Sequence, residues 1–219
     1  MPVQNSKKYA TAHLAEDQYE PGSRGLVLKN LLDIQRKREM DRVEHDEQKR
    51  ALSHLGDEFA IDHRFRAEDI CRMHKEWLGR IYSWAGAYRS VNLVKGGFAF
   101  AAAHAIPALM IEFEEGPLKE FTPCSFDDRS KVVRGLAVVH TELVLIHPFR
   151  EGNGRIARLL ASLMASQAQL PTLDFGGLVG QKRLEYFAAV RAGMKMEYGP
   201  MTDIFDSIVK RTLRTHQGH

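Results

Sequence analysis

The amino-acid sequence predicts an all-α, mainly helical protein, a helical bundle that carries one short β-hairpin. Two observations predict this fold class. Apolar residues recur at spacings of three and four along several segments, as they do on the buried face of an amphipathic helix. Glycines and β-forming residues gather in residues 90–100, where they indicate a hairpin. With 219 residues, 44% of them hydrophobic and 27% charged, the chain can form a single domain with a buried core.

The N-terminal half is expected to supply three helices. One is predicted over residues 26–35, and a second, rich in charges of both signs, over residues 36–55. A third should end near Trp84. Four apolar positions at helical spacing mark this third helix: Ile70, Met73, Trp77 and Ile81.

A long helix is expected in the middle of the C-terminal half. Pro107 should lie in the first turn of a shorter helix before it, because proline favours that position. Ser125 with Asp128 resembles a capping pair at the start of the long helix, which leads to His147. Its apolar stripe consists of Val132, Leu136, Val139, Leu143 and Ile146.

Three more helices are predicted toward the C-terminus. The first follows Gly154 directly and runs to about Gln169, the second covers residues 182–192, and the third begins at Pro200. Four residues of the last helix should face inward: Met201, Ile204, Phe205 and Ile208.

The most informative segment is residues 147–158, with the sequence His-Pro-Phe-Arg-Glu-Gly-Asn-Gly-Arg-Ile-Ala-Arg. Pro148 disfavours helical geometry at His147, so this histidine should lie where a helix gives way to a loop and can face a cleft. Gly152 and Gly154 allow the backbone to approach a ligand closely. Because a helix begins directly afterwards, its unpaired amides point into the loop and can bind an anion.

The side chains of this loop suit a nucleotide triphosphate. Asn153 can cap the following helix or donate its amide to a phosphate oxygen. Arg155 and Arg158 lie on neighbouring positions of the helix surface, and guanidinium groups recognise phosphate well. Glu151 is the nearest oxygen ligand for Mg²⁺, which commonly takes one or two carboxylates plus substrate phosphates. His147 is suited to remove a proton from an attacking hydroxyl.

The twelve residues resemble, position for position, the H-x-F-x-[D/E]-G-N-G-R-x-x-R signature of Fic (filamentation induced by cAMP) domains. Residues 82–89, which include Trp84-Ala85-Gly86 and Arg89, resemble the segment that precedes the family's flap, and residues 95–100 resemble the flap hairpin. Residues 21–23 and 27–30 are similar to the family's N-terminal segment. The resemblance implies one Fic domain over residues 1–219, with a core at about 60–195, a flap at about 90–100 and the motif loop at 147–158.

The resemblance implies transfer of AMP from ATP to a tyrosine, serine or threonine hydroxyl of a target protein, with Mg²⁺. His147 would be the general base, Phe149 a buried anchor and Glu151 the metal ligand. Residues 152–154 would form the anion hole, with Asn153 near the α-phosphate, and Arg155 and Arg158 would hold the β- and γ-phosphates.

The flap is expected to pair with an extended segment of the target protein by strand addition and to place the target hydroxyl near His147. Four flap residues are expected to contribute to binding: Lys95, Gly96, Gly97 and Phe98. A plain hairpin turn is the alternative interpretation of the Lys-Gly-Gly sequence.

Regulation by a partner is expected. Many Fic proteins carry an inhibitory helix with the pattern [S/T]-x-x-x-E-[G/N], whose glutamate pairs with the second motif arginine. The nearest candidates here, Ser53 with Asp57 and Thr202 with Asp206, have the shorter acid and lack the following Gly or Asn. We therefore expect a small antitoxin-like protein to offer that helix in trans to Arg158, as in a toxin–antitoxin pair, or an unregulated enzyme.

Composition argues against several other classes of protein. The net charge of +3 is mild and basic residues alternate with acids, so no nucleic-acid surface is expected. Cys71 and Cys124 form neither a disulfide framework nor a metal cluster, which fits a reduced compartment. Residues 1–20 are polar and no apolar run could span a bilayer, so no membrane association is expected. The chain is expected to be cytoplasmic, with delivery by a secretion system left open.

Alternatives stay open at this point. A His-Pro-Phe next to a glycine turn can simply join two helices, with His147 packed in a corner. The same scaffold also serves other donors or kinase-like transfer in some family members, and a module that only binds a nucleotide or a partner is a third hypothesis. His74, His104 and His140 are interpreted as packing or surface residues.

Overall fold

A computed structural model describes residues 13–217, and within this range the regular secondary structure is helical apart from one hairpin and an isolated β-bridge between Tyr19 and Leu28. Most of the polar N-terminal segment, residues 1–12, lies outside the described residues. The described helices are α1 (Lys37–Glu58), α2 (Ala67–Leu78), α3 (Ile106–Phe113), α4 (Lys119–Phe121), α5 (Arg129–Ile146), α6 (Asn153–Gln167), α7 (Gln181–Gly193) and α8 (Gly199–Gln217). A π-helical turn, Glu114–Leu118, joins α3 to α4.

Helix α5 is the centre of the bundle. It is buried along most of its length and packs against α6 and α8, while α1 and α2 pack against each other beside α6. Buried apolar residues from all these helices form one continuous core. The loop between α5 and α6, residues 147–152, therefore starts and ends on two extensively buried helices, which hold it in a fixed place.

The predicted hairpin is confirmed, although its strands are short. Strand β1 (Val94–Lys95) pairs antiparallel with β2 (Phe98–Ala99), with Val94 opposite Ala99. Gly96 and Gly97 form the turn with φ of +56° and +76°. A two-residue turn of this hand needs positive φ at both positions, so glycine suits both.

The prediction of a helix over residues 26–35 is wrong. This segment is irregular because the side chain of Asn30 replaces helical hydrogen bonds: its Oδ1 accepts from the amides of Leu32 (3.1 Å) and Ile34 (3.0 Å). Its Nδ2 donates to the Ile34 carbonyl at 2.9 Å. Asparagine favours such local bonding over the helical pattern. Leu31 is also exposed, so the apolar face that a helix would need is lacking.

Most other helices are confirmed, with shifted ends. Helix α2 ends at Leu78, before the expected position near Trp84, and Ile81 is buried in the turn that follows. Asp128 caps α5 by accepting from the Ser130 amide at 2.8 Å, so the expected pairing with Ser125 is replaced by one with Ser130. The helix after the motif loop starts at Asn153, inside the glycine turn.

None of the described helices combines the length and the apolar character needed to cross a bilayer.

Candidate active site

His147 lies where α5 ends, in the left-handed conformation with φ of 53° and ψ of 57°. The proline that follows disfavours the helical region at this residue, which explains why the helix stops here. The ring Nδ1 lies 3.0 Å from the Val144 carbonyl. Because a carbonyl can only accept, Nδ1 carries the proton and Nε2 presents a lone pair.

Burial lowers the pKa of His147 to about 4, although the bond to the Val144 carbonyl opposes this shift. The positive charges of Arg89 and Lys95 lower the pKa further. The imidazole is therefore neutral at physiological pH. A neutral imidazole with a free Nε2 can accept a proton, which is the property a general base needs.

The flap covers this imidazole. Phe100, directly after β2, stacks on the His147 ring with centroids 3.6 Å apart and an angle of 16° between the planes. Phe98 contacts Phe100 edge-on, with centroids 5.1 Å apart. The flap and the candidate base are thus in direct contact, and Phe100, to which the sequence assigned no separate role, provides that contact.

Arg89 connects the flap to the motif loop. Its guanidinium is 2% exposed and donates to the carbonyls of His147 (2.8 Å), Val91 (2.6 Å) and Ala101 (2.7 Å). These carbonyls lie at the end of α5 and on both sides of the hairpin. Arg89 therefore fixes where the flap leaves the helical core relative to His147.

Asn153 braces the loop from within. Its Oδ1 accepts from the Phe149 amide at 2.8 Å, and its Nδ2 donates to the Phe149 carbonyl at 2.7 Å. The residue is 3% exposed and occupies the first position of α6, with Gly152 before it as the N-cap. The Asn153 side chain thus bonds to its own loop and does not cap α6, and its expected role near the α-phosphate stays a prediction.

His74 supports the loop from below, in agreement with its interpretation as a packing residue. Its ring stacks on Phe149, with centroids 3.9 Å apart. Nδ1 accepts from the Gly86 amide at 2.8 Å, so Nε2 donates to the Glu151 carbonyl at 3.1 Å. Phe149 is fully buried, as expected for an anchor. The Trp84-Ala85-Gly86 segment thereby contacts the motif loop through one histidine.

Glu151 presents a carboxylate at the mouth of the site. Its Oε1 accepts from the Gly152 amide at 2.9 Å and lies 3.4 Å from Nη2 of Arg155. Burial alone would raise its pKa, but the Gly152 amide, Arg155 and Lys95 together lower the pKa below its usual value. The side chain is 46% exposed, and Oε2 has no hydrogen-bond partner within residues 13–217. One free carboxylate oxygen fits a Mg²⁺ ion that takes its other ligands from phosphates and water.

The start of α6 can bind an anion. The amides of Asn153 and Gly154 donate to no oxygen atom of the described residues. A Cβ added to Gly154 would meet nothing within 4 Å, so the space above it is open. Arg158, half-buried on the next turn, has no ion-pair partner in the part of the chain that the structure describes. A guanidinium and two free amides next to each other suit phosphate oxygens.

Arg155 has a different environment from Arg158. Its Nη1 lies 2.6 Å from Oε2 of Glu44, a residue of α1 that the sequence did not single out. The guanidinium also lies over the Trp77 ring, 4.6 Å from its centroid. Sequence alone offers little reason to single out Glu44, because an acidic residue in a helix rich in positive and negative charges is usually exposed. In this helix Glu44 is 2% exposed.

The remaining candidate residues are the exposed residues of the flap turn and two histidines outside the motif loop. Lys95, Gly96 and Gly97 are exposed, and the charge of Lys95 reaches both His147 and Glu151. His140 is buried and its Nε2 lies 2.8 Å from the Tyr186 hydroxyl, whereas His104 is exposed. Among residues 13–217, no three His, Cys, Asp or Glu side chains gather into a group that could hold a metal ion unaided.

Several known proteins are similar to this chain in sequence or fold. Residues 64–165 match the model of the Fic/DOC family. The chain is 29% identical over 192 residues to the protein adenylyltransferase VbhT of Bartonella schoenbuchensis, an alignment that covers 85% of this chain and 37% of that protein. It is 32% identical over 143 residues to the protein adenylyltransferase fic-1 of Caenorhabditis elegans, covering 64% and 25%. The chain thus spans well under half of the length of these relatives.

Solved structures share the fold. The BepC effector protein of Bartonella tribocorum, with bound AMPPNP, has a TM-score of 0.72 and 20% identity, covering 90% of this chain and 97% of that one. An N-terminal Fic domain from Bartonella quintana, with bound ADP, has a TM-score of 0.71 and 23% identity, covering 90% and 95%. The fold of this chain is therefore the Fic fold.

Proposed function

We propose that this chain, whose residues 64–165 match the Fic/DOC family model, is a protein adenylyltransferase that moves AMP from ATP to a hydroxyl group of a target protein. The observation that carries this proposal is that one short loop joins a neutral imidazole at the end of α5 to the unpaired amides at the start of α6. The names of the relatives and the AMPPNP and ADP bound to the structural neighbours support the same reaction.

The positions of the groups support one reaction. Nε2 of His147 takes the proton of a tyrosine, serine or threonine hydroxyl, whose oxygen attacks the α-phosphorus of ATP. A bond forms between that oxygen and the α-phosphorus, the bond between the α-phosphorus and the bridging oxygen breaks, and pyrophosphate leaves. The amides of Asn153 and Gly154 and the guanidinium of Arg158 hold the phosphates, so catalysis depends on positioning and charge neutralisation.

We also propose that the reaction requires Mg²⁺. The free Oε2 of Glu151 would hold the ion, which would neutralise charge on the triphosphate. The lowered pKa of Glu151 keeps the carboxylate ionised at neutral pH, as a metal ligand must be.

The flap is the proposed docking site for the target protein. Lys95 and Phe98 flank the two-residue turn, and the Phe100 amide donates to the Leu93 carbonyl. Val94 and Ala99, which lie between these two pairs, therefore form a non-hydrogen-bonded pair, and their amides point away from the hairpin. These outward amides can pair with an extended target segment. Val94→Pro would remove one of them and should weaken target modification more than ATP binding. Equal losses of target modification and of ATP binding would contradict strand addition.

We keep trans inhibition by an antitoxin-like protein as a proposal, because Arg158 has no acid partner in residues 13–217 and could accept one from another chain. Cytoplasmic location also stays a prediction. The description of several structural neighbours as VirB-translocated effector proteins supports delivery by a secretion system as the alternative.

Mass spectrometry tests the proposed activity. A cell lysate incubated with the protein, ATP and Mg²⁺ should contain a protein that has gained one AMP on a tyrosine, serine or threonine. The matched control is Arg158→Ala, which should abolish the modification while the chain stays folded. A gain of phosphate alone would favour a kinase-like transfer, and no modification with ATP still bound would favour a binding module.

A further inference from the structure

The two arginines of the motif loop have different electrostatic surroundings. Arg158 has no acid partner within the described residues, whereas Arg155 lies between the carboxylates of Glu44 and Glu151, at 2.6 Å and 3.4 Å. Two guanidiniums that served the same triphosphate would be expected to be equally available. This difference indicates that their roles differ.

Glu44 is built into the core as a charged residue. Its side chain is 2% exposed; Oε1 accepts from the Tyr82 hydroxyl at 2.7 Å and Oε2 from Arg155 at 2.6 Å. Its backbone carbonyl accepts from the Trp77 indole at 2.8 Å. Arg155 is the cation that pairs with this carboxylate among the described residues. A buried carboxylate without its cation is strongly unfavourable, so Arg155 is held in place.

Arg155 is also fixed from its other side. Its guanidinium lies over the face of Trp77, a fully buried residue, at 4.6 Å from the ring centroid. To bind a phosphate through Nη1, the guanidinium would have to leave the buried Glu44, and a larger movement would also break its contact with the Trp77 ring. Trp77 in turn lies under the Gly152 turn, where it is the closest side chain to that glycine. These contacts join α1, α2 and the motif loop in one cluster around Arg155.

We propose that Glu44 is a positioning residue that holds Arg155 beside Glu151, so that Arg155 orients the metal-ligating carboxylate and does not grip the triphosphate. This inference rests on the proposed adenylyltransferase function. Arg155 and the Gly152 amide both contact Oε1 of Glu151, which leaves Oε2 available to a cation. Glu44 shares the charge of Arg155, so that the full positive charge does not compete with Mg²⁺ for Glu151.

The first test is ATP binding in EDTA, without metal. Removal of Arg155 alone would leave Glu44 buried and unpaired, so the variant is Glu44→Gln/Arg155→Gln, in which two amides can hydrogen-bond. This double variant should bind ATP within about 3-fold of wild type, whereas Arg158→Gln should bind at least about 10-fold more weakly, as expected for loss of a charged hydrogen bond. An equal loss in both variants would overturn the proposal.

The second test is the metal requirement. Glu44→Gln keeps the shape but removes the charge: its amide oxygen can accept from Arg155, and its amide nitrogen can donate to the Tyr82 hydroxyl oxygen. It should raise the Mg²⁺ concentration for half-maximal protein labelling by several-fold, on the order of 3- to 10-fold, with ATP affinity in EDTA unchanged. An unchanged Mg²⁺ requirement would overturn the proposal, because a purely structural role for Glu44 does not predict the shift.

Failure of the proposed function gives a different pattern. If wild type neither bound ATP nor labelled protein, the adenylyltransferase assignment would fail, and this inference with it. If wild type labelled protein normally but the Arg155 and Arg158 variants lost ATP affinity alike, only the positioning role would fail. Thermal unfolding of each variant shows that the comparison is made between folded proteins.

Discussion

The rings of His147 and Phe100 lie nearly parallel with their centroids 3.6 Å apart, so the flap covers one face of the proposed general base. His147 comes from the end of α5 and Phe100 from the residue after β2, and Arg89 fixes both backbones through the carbonyls of His147 and Ala101. The contact links the proposed target-binding element directly to the protonation state of the base, because burial is the main cause of the low pKa of His147.

Removal of this cover should raise the pKa of His147. In Phe100→Ala the imidazole becomes more exposed, so its pKa should move from about 4 toward the usual value near 6.5. The acidic limb of kcat/KM against pH should move upward by about one unit. Phe98→Ala is the matched control, since it removes a flap ring that does not stack on His147. An unshifted limb in Phe100→Ala would refute the covering role.

The two glycines of the loop should differ in what they support. Gly152 has φ of +84°, and a Cβ there would lie 2.8 Å from Cζ3 of Trp77, so Gly152→Ala should lose about 2 kcal/mol of unfolding free energy or more. Gly154→Ala should stay within about 1 kcal/mol of wild type, since its Cβ meets nothing within 4 Å. The same methyl group should weaken ATP binding if phosphate occupies that space. Urea unfolding and ATP titration separate the two effects.

Asn153 should act on the loop and not on the nucleotide directly. Asn153→Ala removes two buried hydrogen bonds to Phe149 and should cost about 1 to 3 kcal/mol of unfolding free energy. Activity should fall with it, because the loop loses its internal brace. A variant as stable as wild type that only loses ATP affinity would show that the amide serves the phosphate after all.

Acid should destabilise the protein through its buried histidines. Burial lowers the pKa of His74, His140 and His147 to about 4 each, below the value near 6.5 expected in the unfolded chain. The unfolded chain therefore binds more protons between these values, so stability is full above about pH 6.5 and is lost as pH falls toward 4. Each histidine contributes roughly 3 kcal/mol over that window.

Thermal unfolding at a series of pH values measures this effect. His140→Gln should reduce the acid dependence by about one proton, because His140 lies outside the motif loop but shares the low pKa. A flat stability profile between pH 6.5 and 4.5 in wild type would contradict the account.

The motif loop was predictable because its chemistry is local. A proline after a histidine ends α5, and a glycine turn starts α6, so the positions of His147, Glu151 and the α6 amides follow from neighbouring residues. The hairpin was predictable for the same reason, since Gly96 and Gly97 alone specify the turn.

Other features depend on contacts that no local pattern contains. Glu44 and Arg155 are 111 positions apart and meet only because α1 packs on α2 beside α6. The helix predicted over residues 26–35 failed because the Asn30 side chain took over the backbone hydrogen bonds. The two bonds from Asn153 to Phe149 could not be predicted either, because an asparagine between two glycines can bond to a ligand or to its own loop.

Protein labelling with radioactive ATP tests the central claim most directly. Wild type incubated with Mg²⁺ and α-³²P-ATP should transfer label to a protein or to itself, and γ-³²P-ATP should transfer none. His147→Ala should lower labelling by at least about 100-fold without unfolding the chain, as expected for loss of a general base. Label from γ-³²P-ATP, or undiminished labelling by folded His147→Ala, would contradict the account.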